Sequence, residues 1–204
     1  MKNRSILTPM WLLLAVAACI TAVIVGYALF SLQQVGERFA GFIEVDQAGL
    51  TQLQDMYAQG LQSGQALRNV TLDPSNSQGF KNLEAAHKKF NEALAGAQGL
   101  ASVKGNTSAT LSEVAQRWKA LVTTRSTIAE LAKSDSAAAI AALNTEETPS
   151  WRALRKILLD EIEAREKFVT QTRGEVLDSV SQAQRLTVIL VIVAGILSTI
   201  LAFF

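Results

Sequence analysis

Apolar residues are distributed in two different ways along this chain. Near each end they run together: no charged residue occurs from Ser5 through Gly36, and none follows Arg185. Between these runs they recur at three- and four-residue spacing, the period of one helix face. Each end run is long enough to cross a hydrocarbon core, which takes roughly 20 apolar residues. The first is expected to span residues 10–32 and the second residues 186–204. From Leu32 to Leu72 no proline interrupts, and Val35, Phe39, Phe42, Leu53, Met56, Leu67 and Val70 mark a long first helix. A second is predicted from about Asn76 to Ala101 on Phe80, Leu83, Phe90, Leu94 and Ala97, ended by the turn Val103 to Thr107. A third starts near Thr110, with Glu113 in a capping box, and carries Leu111, Val114, Trp118, Leu121, Arg125 and Ile128. Ser134 and Asp135 cap a short alanine-rich helix through Leu143, and residues 144–148 link it to the last helix, striped by Trp151, Leu154, Leu158, Ile162, Val169, Val176 and Val180. Asp73-Pro74 and Thr148-Pro149 each put a capping side chain before a proline at a first helical position. No segment shows the two-residue period of a strand.

Four amphipathic helices with short connections predict an all-α, up-down-up-down four-helix bundle whose first and last helices continue into two transmembrane spans. The expected organisation is a cytoplasmic N-terminus at 1–9, a span at 10–32, a bundle at 33–185 and a second span at 186–204. Lys2 and Arg4 precede the first span while Glu37 and Arg38 balance each other after it, which holds the N-terminus in the cytoplasm and puts the bundle outside the inner membrane. Val16-Ala17-Ala18-Cys19 also fits a lipoprotein cleavage pattern, but ITAVIVGYALFSL continues the apolar run where a mature lipoprotein turns polar. The uncleaved span is therefore preferred, with Cys19 a small hydrophobe in lipid.

Charge narrows the function. The chain has 19 Lys+Arg and 18 Asp+Glu; without Lys2 and Arg4 the balance is 17 against 18, so nucleic acid is not an expected partner. One cysteine and one histidine exclude a disulfide framework and a His-rich metal centre. No nucleophile triad, phosphate-cradling glycine loop or zinc spacing occurs, so neither catalysis nor a cofactor is expected. The carboxylate pairs Glu146-Glu147 and Asp160-Glu161 read as solvated surface, His87 as an exposed or half-buried helix residue, and Glu163 to Lys167 as a salt-bridged helix face.

The order of these parts, with Gly64-Gln65-Ala66-Leu67-Arg68-Asn69-Val70-Thr71-Leu72-Asp73-Pro74 closing the first helix, Asp135 to Asn144 linking, and Thr148-Pro149-Ser150-Trp151-Arg152 opening a helix that re-enters the membrane, resembles the four-helix-bundle sensor of bacterial methyl-accepting chemotaxis proteins. The resemblance covers the whole chain. It implies a periplasmic homodimer that binds a small molecule or a periplasmic binding protein and shifts its fourth helix. The HAMP linker and cytoplasmic coiled coil of the family lie outside these 204 residues, which are expected to be the sensory portion of a longer receptor or the product of a truncated gene. A sensor of a histidine kinase or cyclase, and a membrane-anchored structural or interaction module, remain alternatives.

Arginines supply the candidate ligand site. Arg68 and Asn69 near the end of the first bundle helix, Arg125 late in the third, and Trp151, Arg152 and Arg155 early in the fourth would cluster at the membrane-distal end. Two helix N-termini at Pro74 and Pro149 would add partial positive charge for a small anionic ligand. The aspartate and serine receptors of the resembling family use several first-helix arginines, and here that region holds only Arg68. Arg125 interrupts an apolar stripe and must find a carboxylate, a ligand or water. Gly60 and Gly64, four residues apart in a helix where each glycine costs about 1 kcal/mol, are expected to allow a close approach, either to a symmetry mate in a dimer interface or by tight packing inside one bundle, the dimer being preferred.

Overall fold

The computed structural model describes residues 7–103 and 109–203. Among them there is no strand, and four long helical stretches form. Helix α1 (Leu7–Gly41) passes through a π segment (Phe42–Gln47) into α2 (Ala48–Leu72); α3 is Ser77–Val103 and α4 is Ala109–Leu131. Helix α5 (Ser136–Ala142) passes through a second π segment (Leu143–Glu147) into α6 (Thr148–Phe203). The chain divides into two compact units, residues 43–170 and the flanking lengths up to 42 and from 171.

In the unit 43–170 one core cluster draws Leu53 and Met56 from α2, Phe90 and Leu94 from α3, Val114, Trp118 and Leu121 from α4, and Leu154 and Leu158 from α6. A second joins Leu67 and Val70 to Leu83, Ile128 and Ala139. Trp118 anchors the first: its ring stacks on Phe90 at 3.7 Å between centroids, and its Nε1 donates to Asn91 Oδ1 at 3.0 Å. The expected stripes are buried nearly throughout. Phe39 is the exception, 53% exposed, and Val35, Phe80 and Val180 are only half-buried.

The helix starts differ from the sequence expectation in three places. Pro74 is not a first helical residue: Asp73 O accepts from Asn76 N at 3.1 Å, closing a turn, and Asp73 Oδ1 accepts from Ser75 N at 3.0 Å. Asn76 caps α3 instead, its Oδ1 accepting from Gly79 N at 2.9 Å. Thr110 lies inside α4 rather than before it, and Glu113 pairs with Arg117 Nε at 2.8 Å. The turn expected at 103–107 falls, beyond Val103, outside the described residues. At Asp135 the expected cap forms, with Oδ1 accepting from Ala138 N at 2.9 Å.

The third departure matters most. Residues 144–148 are not a link, and Pro149 does not begin a helix. Pro149 lacks an N–H and its ring crowds the carbonyl four residues back, which an α-helix cannot accommodate without loss. The chain widens to the i→i−5 pattern just before it, and Thr148 donates both its backbone N–H and its Oγ1, the latter at 2.9 Å, to Leu143 O. Ser150 Oγ satisfies Glu146 O at 2.7 Å.

In the other unit Arg38 Nη1 donates to Ser179 Oγ at 2.9 Å. Among the described residues two helices are long and apolar enough to cross a membrane. Large side chains along them, among them Val23, Phe30, Val188 and Ile196, are more than half exposed. Three threonine hydroxyls within these runs are satisfied internally: Thr21, Thr187 and Thr199 donate to the carbonyls of Ala17, Ala183 and Gly195, four residues back, at 2.8 to 2.9 Å.

Candidate functional site

A buried ionic cluster occupies the interior of the unit 43–170. Arg125 sits on the apolar stripe of α4, and its side chain has no exposed surface. Its partner is Glu147, the last residue of the second π segment, whose Oε1 accepts from Arg125 Nε at 2.9 Å and Nη2 at 2.5 Å. The opposite edge of the guanidinium reaches α2: Nη1 donates to Ser63 Oγ at 2.8 Å and to Gly60 O at 3.3 Å. The Trp118 and Trp151 rings lie 5.6 and 5.4 Å from the guanidinium carbon, close enough for cation–π attraction. One side chain thus ties α2, α4, the π segment and α6 together. Burial pulls the Arg125 pKa below its usual value, the charge and hydrogen bonds of Glu147 oppose that shift, and the nearby Arg68 charge adds to it.

The glycines make room for this arrangement. A Cβ on Gly60 would overlap the Trp151 ring, and one on Gly64 would stand 3.3 Å from Arg125 Nη2 and 3.8 Å from Glu147 Oε1. Both are buried. The small-residue face expected to form a dimer interface is therefore filled by the chain's own Trp151 and Arg125. Glycine is required here by close approach within one chain, which offsets its helical cost.

The other expected site residues divide. Arg68 is exposed, with Nη1 close enough to lie 3.7 Å from a Cβ on Gly64, so it borders the cluster. Asn69 is exposed beside it. Trp151 is buried in the core and stacks with Tyr57 at 6.5 Å. Arg152 is exposed, and Arg155 is exposed with its guanidinium carbon 5.8 Å from the Tyr57 ring. Arg125 belongs to the core, where its anion is Glu147, and the helix N-terminus expected at Pro149 does not exist. Of the anion pocket anticipated from the sequence, Arg68, Asn69 and Arg152 remain available at the surface.

Glu147 is the residue sequence reasoning missed. Glu146 is exposed as expected of the pair, whereas Glu147 is 1% exposed. The signal lay in Arg125, whose position on an apolar stripe required a buried carboxylate, combined with Pro149, which forces the register change that turns Glu147 inward. His87 is half-buried, its ring edge-on to Trp118 at 5.5 Å, and burial together with the Arg125 charge holds its pKa down to about 4. Glu163 and Lys167 form the expected surface pair at 2.7 Å, and Asp160 pairs with Lys156 at 2.6 Å. Among the described residues no cluster of His, Cys, Asp and Glu is arranged to hold a metal.

Comparison with protein-family models, with curated proteins and with solved structures finds no match to this chain.

Proposed function

We propose that the chain is the sensory and membrane portion of a bacterial receptor of the methyl-accepting chemotaxis type, an up-down-up-down bundle anchored by two spans, with the bundle periplasmic and the N-terminus cytoplasmic. The observation that carries this reading is the placement of Glu147. The buried pair joins α2 and α4 to a π segment at the head of α6, the helix whose other end is apolar enough to enter a membrane. Segments of π-helix interrupt α-helices frequently at functional sites, and small sliding of packed helices is a known switching motion. A ligand that favours one register of the π segment would displace α6 along its axis; without such differential affinity it could shift nothing. A small anion at Arg68, Asn69 and Arg152, or a periplasmic binding protein docked there, is the proposed effector, and a homodimer the proposed assembly.

The internal neutralisation of Arg125 favours a second reading, a membrane-anchored structural or interaction module with no ligand. A chimera separates the two. The chain is joined through a HAMP linker to the kinase-control region of a characterised chemoreceptor, and kinase activity is measured in membranes. The sensor reading expects the chimera to control the kinase and Glu147→Gln to shift its basal output several-fold. A chimera that never controls the kinase supports the structural module. Lys88→Cys, on the exposed face of α3, is expected to react with a membrane-impermeant thiol reagent in cells with a permeabilised outer membrane. Labelling only after lysis would place the bundle in the cytoplasm and end the proposal.

A further inference from the structure

We infer that a cleft between α2 and α3, separate from the buried Arg125 cluster, binds a small hydroxylated carboxylate such as a sugar acid. The cleft measures about 380 Å³, within the range of small-molecule sites. Its walls are amides: Gln59, Gln62, Gln65 and Asn69 descend one face of α2 at three- and four-residue spacing, and Asn82 faces them from α3. Lys89 is the only charged residue lining it. Ala66 and Ala86, both nearly fully buried, form the floor, and their short side chains leave the space open.

The chemistry of this lining selects the ligand. An amide side chain offers two donors and an acceptor, so a ring of amides matches hydroxyl groups, which also both donate and accept. No carboxylate lines the cleft to balance an ammonium ligand, and the Lys89 ammonium supplies the partner for a carboxylate. One acceptor in the wall is unmet: Gln59 Oε1 is buried without a hydrogen-bond partner. A buried acceptor left unpaired is costly, and the terminal torsion of glutamine is soft, so a ligand hydroxyl can draw this amide into a bond. Asn82 Oδ1 accepts from Gln78 Nε2 at 2.8 Å, which leaves the Asn82 amide protons for a ligand oxygen.

The inference goes beyond the sensor reading and is measured without it. Gluconate is titrated into the full chain in lipid nanodiscs and binding is followed by calorimetry, with glucose and acetate as the neutral and unhydroxylated comparisons. Gluconate is expected to bind with Kd below about 1 mM and at least tenfold more tightly than either comparison. Ala85→Leu, at an exposed position lining the cleft, should abolish binding without loss of helical circular dichroism; Gln59→Leu and Lys89→Gln should each weaken it about tenfold, consistent with the loss of one hydrogen bond or charge contact. Lys156→Gln, which removes a charge from the exposed face of α6 away from the cleft, should leave it unchanged. Absence of gluconate binding at 10 mM, roughly ten times the expected Kd, would overturn the inference, as would binding that survives Ala85→Leu or that Lys156→Gln removes. Glucose binding as tightly as gluconate would overturn the assignment of Lys89 to a carboxylate. A chimera that ignores gluconate while the nanodisc-bound chain binds it counts against the sensor reading and leaves the cleft standing.

Discussion

Replacing Glu147 with glutamine tests the central structural claim, that Arg125 is held in the core by a single carboxylate. Glutamine has nearly the same shape and keeps an acceptor oxygen for Nε or Nη2, so the substitution removes charge with little change in volume. Arg125 would retain Ser63 Oγ and Gly60 O as acceptors and two indole rings within 5.6 Å. None of these carries the negative charge that compensates a cation with no exposed surface. Removing one partner of a buried pair costs about 3–5 kcal/mol, and the retained acceptors argue for the lower end, about 3 kcal/mol. For a unit the size of residues 43–170 this corresponds to roughly 10–15 °C in Tm. The assay is urea unfolding of the full chain in detergent, read by far-ultraviolet circular dichroism and by tryptophan emission, since Trp118 and Trp151 both border the guanidinium. The double variant Arg125→Met with Glu147→Leu removes both charges and should recover most of the loss, because hydrophobic replacement of a buried pair is often neutral or stabilising. A Glu147→Gln variant within about 1 kcal/mol of the parent, or a double variant no better than the single, would refute the claim that the pair is desolvated and mutually dependent.

Further outcomes follow from the same geometry. The His87 pKa, about 4 when folded against 6.5 ordinarily, means that the unfolded chain binds its proton first; stability attributable to His87 is full above pH 6.5 and falls as pH drops toward 4. After discounting for partial exposure, the fall is on the order of 1–2 kcal/mol, and it should vanish in the pH profile of His87→Gln. Gly60→Ala should destabilise by about 1–3 kcal/mol despite a gain in helix propensity of about 1 kcal/mol, because the new methyl group must displace the Trp151 ring. Gly64→Ala, whose methyl meets only a tight contact with Arg125 Nη2, should stay within about 1 kcal/mol of the parent in the same urea titration. Asp135→Ala should cost about 1 kcal/mol by removing the bond to Ala138 N, and Asp135→Ser should restore most of it.

Periodicity alone determined the helical class, the apolar faces and the two membrane-competent runs. Helix and strand impose different spacings on buried residues, and the stripe from Leu111 to Ile128 reads as helix with every member buried. It could also identify Arg125 as a side chain in need of a partner, since a charge on an apolar face is costly wherever that face packs. What it could not supply was the partner. Glu146 and Glu147 are chemically identical neighbours, and which of them turns inward depends on the helix register at that point. Pro149 sets that register by widening the turn before it rather than by starting a helix, a choice made only when α5 and α6 are continuous. The glycines show the same division. Their spacing announces that something approaches α2 closely, but a spacing is blind to whether the visitor is another chain or a residue nearly a hundred positions away. Trp151 and Arg125 are brought there by packing, and contacts between distant parts of a chain exist only once the tertiary structure has closed.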